Sequence, residues 1–303
     1  MAITINTGSE TVPSDASTVY NMAYKFARQT IDSVTSVNPL DELFNKGKVE
    51  YGKNIEESVL ELLQKGAYDE NAVDLFKATD PTFITRYYKD WSSGQFSTTV
   101  RLGEIRKILA RGLSERNTAE SVAEKIVGNL TESDSFDRYK NEKAVLLSLK
   151  GAIDTAKTNA GAVTTVNDLL KSIRNVVDSF QFINKKYVIS GIDNRTSFDD
   201  IFIVMPYEIK NAIDIDAMAY MFNMSKADML AKILITDATD GIVYVIDRRA
   251  VFQYNRLLEL TNEWNGKALL TNYWLTVDDL YGYSPLFKAT YIDASALVTP
   301  ATK

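Results

Sequence analysis

The 303 residues contain no histidine and no cysteine, and this limits the chemistry that the chain can perform. Without imidazole there is no Ser-His-Asp or Cys-His catalytic machinery. Without thiolates there is no disulfide, no cysteine-ligated zinc site and no iron–sulfur cluster. Catalysis would have to rely on carboxylates, Lys, Ser, Thr or Tyr, with oxygen-bound Mg²⁺ or Ca²⁺ as the available metals.

A glycine-rich segment has the spacing of a phosphate-binding loop, because Gly47, Gly52 and Lys53 match G-x-x-x-x-G-K. A Ser or Thr that binds magnesium should follow the lysine, but Asn54 stands there. The acidic Glu50 also lies where phosphate groups would bind. We therefore interpret the segment as a loop punctuated by glycine, and we predict no cofactor.

Neighbouring acidic residues form three pairs, Glu56-Glu57, Asp199-Asp200 and Asp278-Asp279. Adjacent side chains point to opposite faces of a strand or lie about 100° apart on a helix. Such a pair therefore rarely forms a two-carboxylate site, and capping and solvation are the simpler explanation. A Mg²⁺-dependent hydrolase using Asp199, Asp200 or Asp278 is an alternative, and carboxylates converging in a pocket would favour it.

The overall charge and hydropathy exclude further classes of protein. A formal net charge of −6 disfavours a dedicated duplex-binding protein, because neutralising phosphates requires a basic surface. No window of the sequence approaches the roughly 20 apolar residues that span a bilayer. We therefore expect no membrane partner.

The first hundred residues show mixed patterning. Residues 1–37 begin with a polar stretch and predict an extended arm ending in a short helix. Residues 48–51 and 95–100 alternate or are β-branched and predict strands. Residues 55–63 carry apolar side chains at helical spacing and predict a helix between the strands.

The middle of the chain is predicted to be helical. One helix is expected over residues 119–130 and a longer one over residues 135–157, with residues 131–134 as the start signal of the second. The Gly/Ala/Thr-rich residues 158–165 read as a linker. An amphipathic helix is predicted over residues 166–180.

The C-terminal half predicts a mixture of strands and helices. Residues 201–205 form an apolar run typical of a strand buried on both faces, and Pro206 begins a helix through Ile213. Further strands are predicted over residues 233–236, 242–246, 268–274 and 286–292. Asp240-Gly241 predicts that residues 233–236 and 242–246 pair as a hairpin.

Short motifs in a shared order carry a family resemblance. In the N-terminal part they are Asn38-Pro39-Leu40 and the segments 46–49, 51–57, 68–72 and 94–100. In the C-terminal part they are the segments 213–224, 246–247, 272–274 and 287–289. Their order and spacing over residues 38 to 293 resemble the major head proteins of small short-tailed phages of the Bacillus-infecting type.

This resemblance implies an α+β chain with the Hong Kong 97-like capsid fold. The N-terminal arm would be residues 1–37, the extended-loop region 38–100, the peripheral domain with its spine helix 101–163, the axial domain 164–260, and the return strands with the C-terminal tail 261–303. The additional immunoglobulin-like domain of some relatives is not expected, nor is surface decoration of that kind.

The function implied by the resemblance is that of a major capsid protein without enzymatic activity. Its main partner would be itself, in pentamers and hexamers that form an icosahedral head around double-stranded DNA, without sequence-specific binding. Scaffold and portal proteins are further candidate partners. The protein would assemble in the cytoplasm of the bacterial host and reside in the virion capsid. The alternatives are an encapsulin-like nanocompartment shell, the hydrolase above and a monomeric adaptor.

Five residues of the extended-loop region are predicted to make contacts between subunits: Gly47, Tyr51, Gly52, Trp91 and Phe96. The reason is their position away from any local core. Changing Trp91 and Phe96 to Ser is expected to abolish shell assembly and to leave a folded monomer.

Overall fold

The computed structural model describes residues 38–63, 83–101, 119–213 and 215–298; the predicted arm lies outside them. Contacts divide these residues into two compact units. The smaller unit contains residues 95–101, 119–134 and 259–276. The larger unit contains the described residues of 38–94, 135–258 and 277–298.

The described residues contain both helices and strands in one chain. The helices are α1 (Asp41–Phe44), α2 (Ala119–Ala156), α3 (Val166–Phe180), α4 (Tyr207–Ala212), α5 (Ile215–Met221) and α6 (Lys226–Ala231), with single 3₁₀ turns at Phe198–Asp200 and Ser295–Leu297. The strands are β1 (Asn45–Lys48), β2 (Ile55–Leu60), β3 (Phe83–Tyr88), β4 (Ser92–Arg101), β5 (Ile201–Pro206), β6 (Ile233–Thr236), β7 (Ile242–Asp247), β8 (Val251–Asn265), β9 (Leu270–Tyr283) and β10 (Ala289–Asp293).

These strands form three sheets. One sheet has the order β10-β7-β5-β6, a second has the order β1-β8-β9-β4, and β2 pairs with β3 alone. Among the described helices, none is long and apolar enough to cross a membrane.

The β10-β7-β5-β6 sheet is the centre of the larger unit because helices cover both of its faces. Along β5, Ile201, Ile203 and Met205 enter a core that contains the apolar face of α3. The alternate residues Phe202 and Val204 enter a second core with the C-terminal half of α2. This two-sided burial confirms the strand predicted from the apolar run.

Helix α3 follows directly from its sequence. Thr165 caps it, because its hydroxyl accepts a hydrogen bond from the Asp168 backbone N–H at 3.1 Å. Its apolar residues recur at helical spacing, and six of them are buried in the core beside the sheet: Leu169, Leu170, Ile173, Val176, Val177 and Phe180. The predicted bounds of this helix are confirmed.

Helix α2 differs from its prediction because it is one helix of 38 residues. The predicted break at residues 131–134 is wrong. A residue that favours helix caps is tolerated inside a helix when its side chain donates a hydrogen bond to a carbonyl of the preceding turn. Ser133 does this, because its Oγ donates to the Asn129 carbonyl at 2.7 Å. The sequence there also contains no proline, the residue that breaks a helix most strongly.

The predicted helix over residues 55–63 is also wrong, because Ile55–Leu60 is a strand. Alternate side chains along β2 are half-buried and exposed, and pairing with β3 satisfies the backbone. Apolar residues in so short a segment are compatible with both the helical and the strand period, so pairing with another strand decides which structure forms. The predicted strand over residues 48–51 lies instead at Asn45–Lys48, whereas β4 contains the predicted residues 95–100.

The predicted hairpin of residues 233–236 and 242–246 is wrong, although both segments are strands. Strand β5 lies between them, with Ile203 opposite Ile233 on the parallel side and opposite Val245 on the antiparallel side. Gly241 is required for a close approach instead. Its φ is +68°, and a Cβ there would lie 2.5 Å from Ser295 Cα.

The two long strands β8 and β9 are neighbours joined by a turn over residues 266–269. The sequence did not indicate β8, because polar residues such as Gln253, Asn255 and Arg256 interrupt its apolar residues without a clear period, and its second half is exposed. Strand β9 extends to Tyr283, beyond the predicted residue 274. The last strand is shorter than predicted and begins at Ala289.

Candidate subunit-contact ribbon and its base

Strands β2 and β3 form a two-stranded antiparallel ribbon, here called the ribbon. Its register runs from Ile55 opposite Tyr88 to Leu60 opposite Phe83. An isolated two-stranded ribbon is marginal in water unless its apolar side chains are covered. Several apolar side chains on these strands and just after β2 are exposed to solvent in the described structure: Leu60, Leu62, Leu63, Phe83 and Tyr87. These side chains form an exposed apolar patch on the described residues.

One end of the ribbon is packed on β8. The Tyr88 ring meets the Phe252 ring edge-on, with 4.7 Å between the centroids. Burial raises the pKa of Tyr88 to about 12, and its hydroxyl donates to Glu57 Oε2 at 3.0 Å. Phe252 also needs Gly282, because a Cβ at this glycine would lie 2.7 Å from the phenyl ring.

A second contact forms around Arg256 of β8. Its guanidinium carbon lies 5.0 Å from the centroid of the Tyr51 ring and 4.4 Å from that of Trp91, within the range of cation–π attraction. Its Nε donates to Asp278 Oδ2 at 2.5 Å. Ser93 Oγ donates to the other oxygen of the same carboxylate at 3.1 Å.

A tight turn presents Tyr51 to this arginine. The Lys53 N–H donates to the Glu50 carbonyl at 3.2 Å, and Gly52 has a φ of +87°. A turn of this kind requires a positive φ at its third residue, which favours glycine. On the other side of the ribbon, Trp91 Nε1 donates to Asn54 Oδ1 at 3.2 Å. These two aromatic residues, with Asn54, Ser93, Arg256 and Asp278, are called the ribbon base below.

The structure brings some of the predicted contact residues together and not others. Tyr51 and Trp91 both contact Arg256. Gly52, with its positive φ, lies in the turn between Tyr51 and β2. Gly47 lies in β1 with a φ of +96°. Phe96 is half-buried on β4 in the smaller unit. The aromatic residues of the ribbon base thus have a partner in their own chain, which the sequence did not indicate.

Sequence reasoning missed Arg256 and misjudged the surroundings of Asp278. Arg256 lies in a segment without clear periodicity, two residues before Leu258. This pattern is too weak to predict that the arginine forms an ion pair. The carboxylate of Asp278 is nearly fully buried and bound by Arg256 and Ser93. It is therefore held by structural contacts.

Its neighbour Asp279 faces a different set of partners. Gln253 Nε2, Asn255 Nδ2 and the Tyr281 hydroxyl donate to it at 3.1, 2.8 and 2.9 Å. The two carboxylates therefore do not form a pair, as expected for adjacent residues on a strand. In the part of the chain that the structure describes, no group of acidic side chains could hold a metal ion.

Glu142 of α2 is the third buried carboxyl near this region. Asn38 Nδ2 donates to its Oε2 at 2.9 Å, whereas its Oε1 is buried without a hydrogen-bond partner. Burial raises the pKa of Glu142 to about 7. Asp41 and Asp279 raise it further, and the Asn38 amide and the positive charge of Arg138 oppose the rise.

Comparison with known proteins identifies the family. A family model described as the Phi29-like phage major capsid protein matches residues 15–292. The chain belongs to this family. The major capsid protein of Bacillus phage GA-1 is 21% identical over 273 residues, 86% of this chain, and that of Bacillus phage PZA is 21% identical over 280 residues, 89% of this chain. The chain spans only 57% and 61% of the lengths of these relatives.

Solved phage capsids share the fold of this Phi29-like family member. The capsid structure of Staphylococcus phage Andhra matches with a TM-score of 0.70 at 15% identity, over 88% of this chain and 87% of that chain. The head structure of Helicobacter pylori bacteriophage KHP40 matches with a TM-score of 0.59 at 9% identity, over 96% of this chain and 100% of that chain. The α+β Hong Kong 97-like fold implied by the sequence resemblance is therefore confirmed.

Proposed function

We propose that this chain is the shell subunit of a tailed phage, and that pentamers and hexamers of it close into an icosahedral head around double-stranded DNA. The observation that carries the proposal is the ribbon, whose side chains Leu60, Phe83 and Tyr87 are exposed in the part of the chain that the structure describes. Membership of a capsid protein family supports the same reading. The contact at subunit edges would then be the protein's only activity.

The size of the exposed surface fits this role. Leu60, Phe83 and Tyr87 are 52%, 62% and 68% exposed. Burying one large apolar side chain completely is worth about 1.5–3 kcal/mol. A few such side chains per contact, repeated at every copy around a closed shell, give strong assembly from weak pairwise binding.

The residues of the extended loop keep their proposed role as contacts between subunits: Gly47, Tyr51, Gly52, Trp91 and Phe96. Tyr51 supports it most directly, because 73% of its surface remains exposed beside Arg256. The assignment of residues 1–37, 38–100, 101–163, 164–260 and 261–303 to the arm, extended loop, peripheral domain, axial domain and return strands is likewise proposed.

The proposed setting is a head that forms in the cytoplasm of the bacterial host and persists in the virion. Scaffold and portal proteins are proposed as further partners. The net charge of −6 supports a wall that confines DNA without gripping it, because an acidic surface repels phosphate. The contacts of Asp278 with Arg256 and Ser93 support a structural role for this carboxylate.

The test is assembly of the purified chain with the ribbon surface changed. The cross-strand neighbours Leu60 and Phe83 are replaced in the double variant L60S/F83S. The wild-type chain is expected to give closed particles in negative-stain microscopy, and the double variant only soluble subunits with an unchanged circular dichroism spectrum.

The matched control is L60M/F83Y, which keeps apolar surface at both positions and should assemble as the wild type does. Closed particles from L60S/F83S in normal yield would show that the ribbon surface does not hold the shell together. A wild-type chain that stays monomeric under all conditions, including with added scaffold protein, would reject the proposed function itself.

A further inference from the structure

We propose that Arg256 is a positioning residue that fixes the direction of the ribbon relative to β8 within the larger unit. It does so by joining the chain before β2 and the chain after β3 to the long strands β8 and β9. This inference rests on the proposed function, because the ribbon direction matters only if the ribbon contacts other subunits. It names the residue on which a regular shell geometry would depend.

The first step is that the ribbon cannot orient itself. Its internal contacts include the backbone ladder between β2 and β3, the hydroxyls of Ser58 and Thr85 at 3.0 Å, and the hydrogen bond from Tyr88 to Glu57. These contacts hold the strands to each other. They say nothing about the angle of the ribbon to the rest of the subunit, which must come from contacts at its base.

The second step is the number of those contacts. Tyr88 supplies one, because its ring packs on Phe252 and its hydroxyl has a hydrogen bond with Ser284. An attachment through one residue can act as a pivot about which the ribbon turns. Arg256 supplies another, because it touches Tyr51 ahead of β2 and Trp91 beyond β3. Two separate contacts define an orientation, whereas one does not.

The third step is the residue type. Arginine can place a planar cation against aromatic rings while its Nε donates to a carboxylate, and lysine cannot reproduce this geometry. The ion pair is sheltered, since the Arg256 and Asp278 side chains are 18% and 4% exposed. A sheltered pair resists salt, and removing one partner leaves the other charge buried and uncompensated. The arrangement is therefore rigid as well as specific.

The fourth step is that the Asp278 carboxylate binds both Arg256 and the chain that follows β3. Asp278 accepts from Arg256 with one oxygen and from Ser93 with the other. Ser93 comes two residues after Trp91, so the chain leaving β3 is tied to β9 directly as well as through the arginine. Asn54 ties the chain entering β2 to Trp91. Loss of Arg256 would remove the contacts to Tyr51 and Trp91 together and leave only the hydrogen bond of Ser93 to Asp278 among these ties to β9.

The experiment compares R256Q with the wild type in the background W264F/W274F, which leaves Trp91 as the single tryptophan of the three. In the unassembled subunit, R256Q should change the emission maximum of Trp91. Amide hydrogen exchange of residues 51–54 and 83–93 should become at least about tenfold faster, equivalent to about 1.4 kcal/mol of local opening. Assembly should then give open or irregular particles of mixed size instead of uniform shells.

The matched control is R174Q, because Arg174 pairs with Asp178 on the exposed surface of α3 and has no contact with the ribbon. It should leave the Trp91 emission, the exchange rates and the particle size unchanged. Y51A provides a second route should R256Q fail to fold, since it removes one stacked ring and leaves the buried ion pair in place. The same acceleration of exchange in residues 51–54 is expected.

Two results would overturn the inference: unchanged exchange and emission in folded R256Q or Y51A, or uniform shells from a variant whose ribbon exchanges faster. These outcomes differ from failure of the proposed function. A chain that never assembles would reject the shell role, but the emission and exchange data of the isolated subunit would still support or reject the role of Arg256 at the ribbon base.

Discussion

Replacing Glu142 with Gln should make the stability of the subunit respond differently to pH. The carboxyl is fully buried in the larger unit, with Asn38 as its hydrogen-bond donor and one oxygen without a partner. Burial favours the protonated form, so the pKa of Glu142 is about 7 in the folded chain instead of 4.5. The folded subunit therefore holds this proton more tightly than the unfolded chain does.

The sign and size of the effect follow from this difference. Protonated Glu142 contributes to stability at low pH, and that contribution is lost as the pH rises from 4.5 to about 7. A rise from 4.5 to about 7, at about 1.4 kcal/mol per pH unit, gives about 3 kcal/mol. Gln cannot ionise, so E142Q should gain about 3 kcal/mol relative to the wild type between pH 4 and pH 8.

The assay is urea unfolding of the unassembled subunit at several pH values, followed by circular dichroism. The quantity compared is the difference in unfolding free energy between E142Q and the wild type, so titration of other groups cancels. E259Q removes one exposed carboxylate and is the charge-matched control. A difference between E142Q and the wild type that stays constant from pH 4 to pH 8 would refute the buried, protonated carboxyl.

Three further changes test the packing around the site, each measured as the unfolding free energy of the isolated subunit. G282A should destabilise by about 1–3 kcal/mol, because the new Cβ would lie 2.7 Å from the buried Phe252 ring. G151A is its matched control on the exposed face of α2, where nothing lies within 4 Å, and it should stabilise by about 0.5–1 kcal/mol; destabilisation by both would contradict the steric argument. K288M should cost about 1–3 kcal/mol, because the three N–H donors of the buried Lys288 ammonium are surrounded by the Phe182 carbonyl and three other oxygens within hydrogen-bond distance; an unchanged stability would contradict a stabilising role for these hydrogen bonds.

The elements that the sequence predicted well are those whose partners are implied by one short segment. Helix α3 has its cap and its apolar stripe within residues 165–180, and β5 reads as a strand covered on both faces. The family resemblance also depended on local motifs in order. In these cases the information about burial is contained in the segment itself, since periodicity reports how many faces are covered.

The ribbon base illustrates what the sequence left open. Arg256 and Asp278 are separated by 22 residues, and Trp91 precedes Arg256 by more than 160. Side chains so far apart meet only because β8 and β9 are neighbours in a sheet. The resemblance assigned Tyr51 and Trp91 to the same extended-loop region, but it could not reveal that one arginine contacts both.

By itself the sequence determined the absence of thiol and imidazole chemistry, the strands and helices with clear periodicity, and the capsid family. Only the tertiary structure decided that β5 separates β6 from β7, that residues 55–60 form a strand and that Asp278 serves an ion pair. The physical reason is the range of the interactions. Periodicity and capping act within a few turns of chain, whereas strand order and buried charge pairs depend on residues brought together by the whole fold.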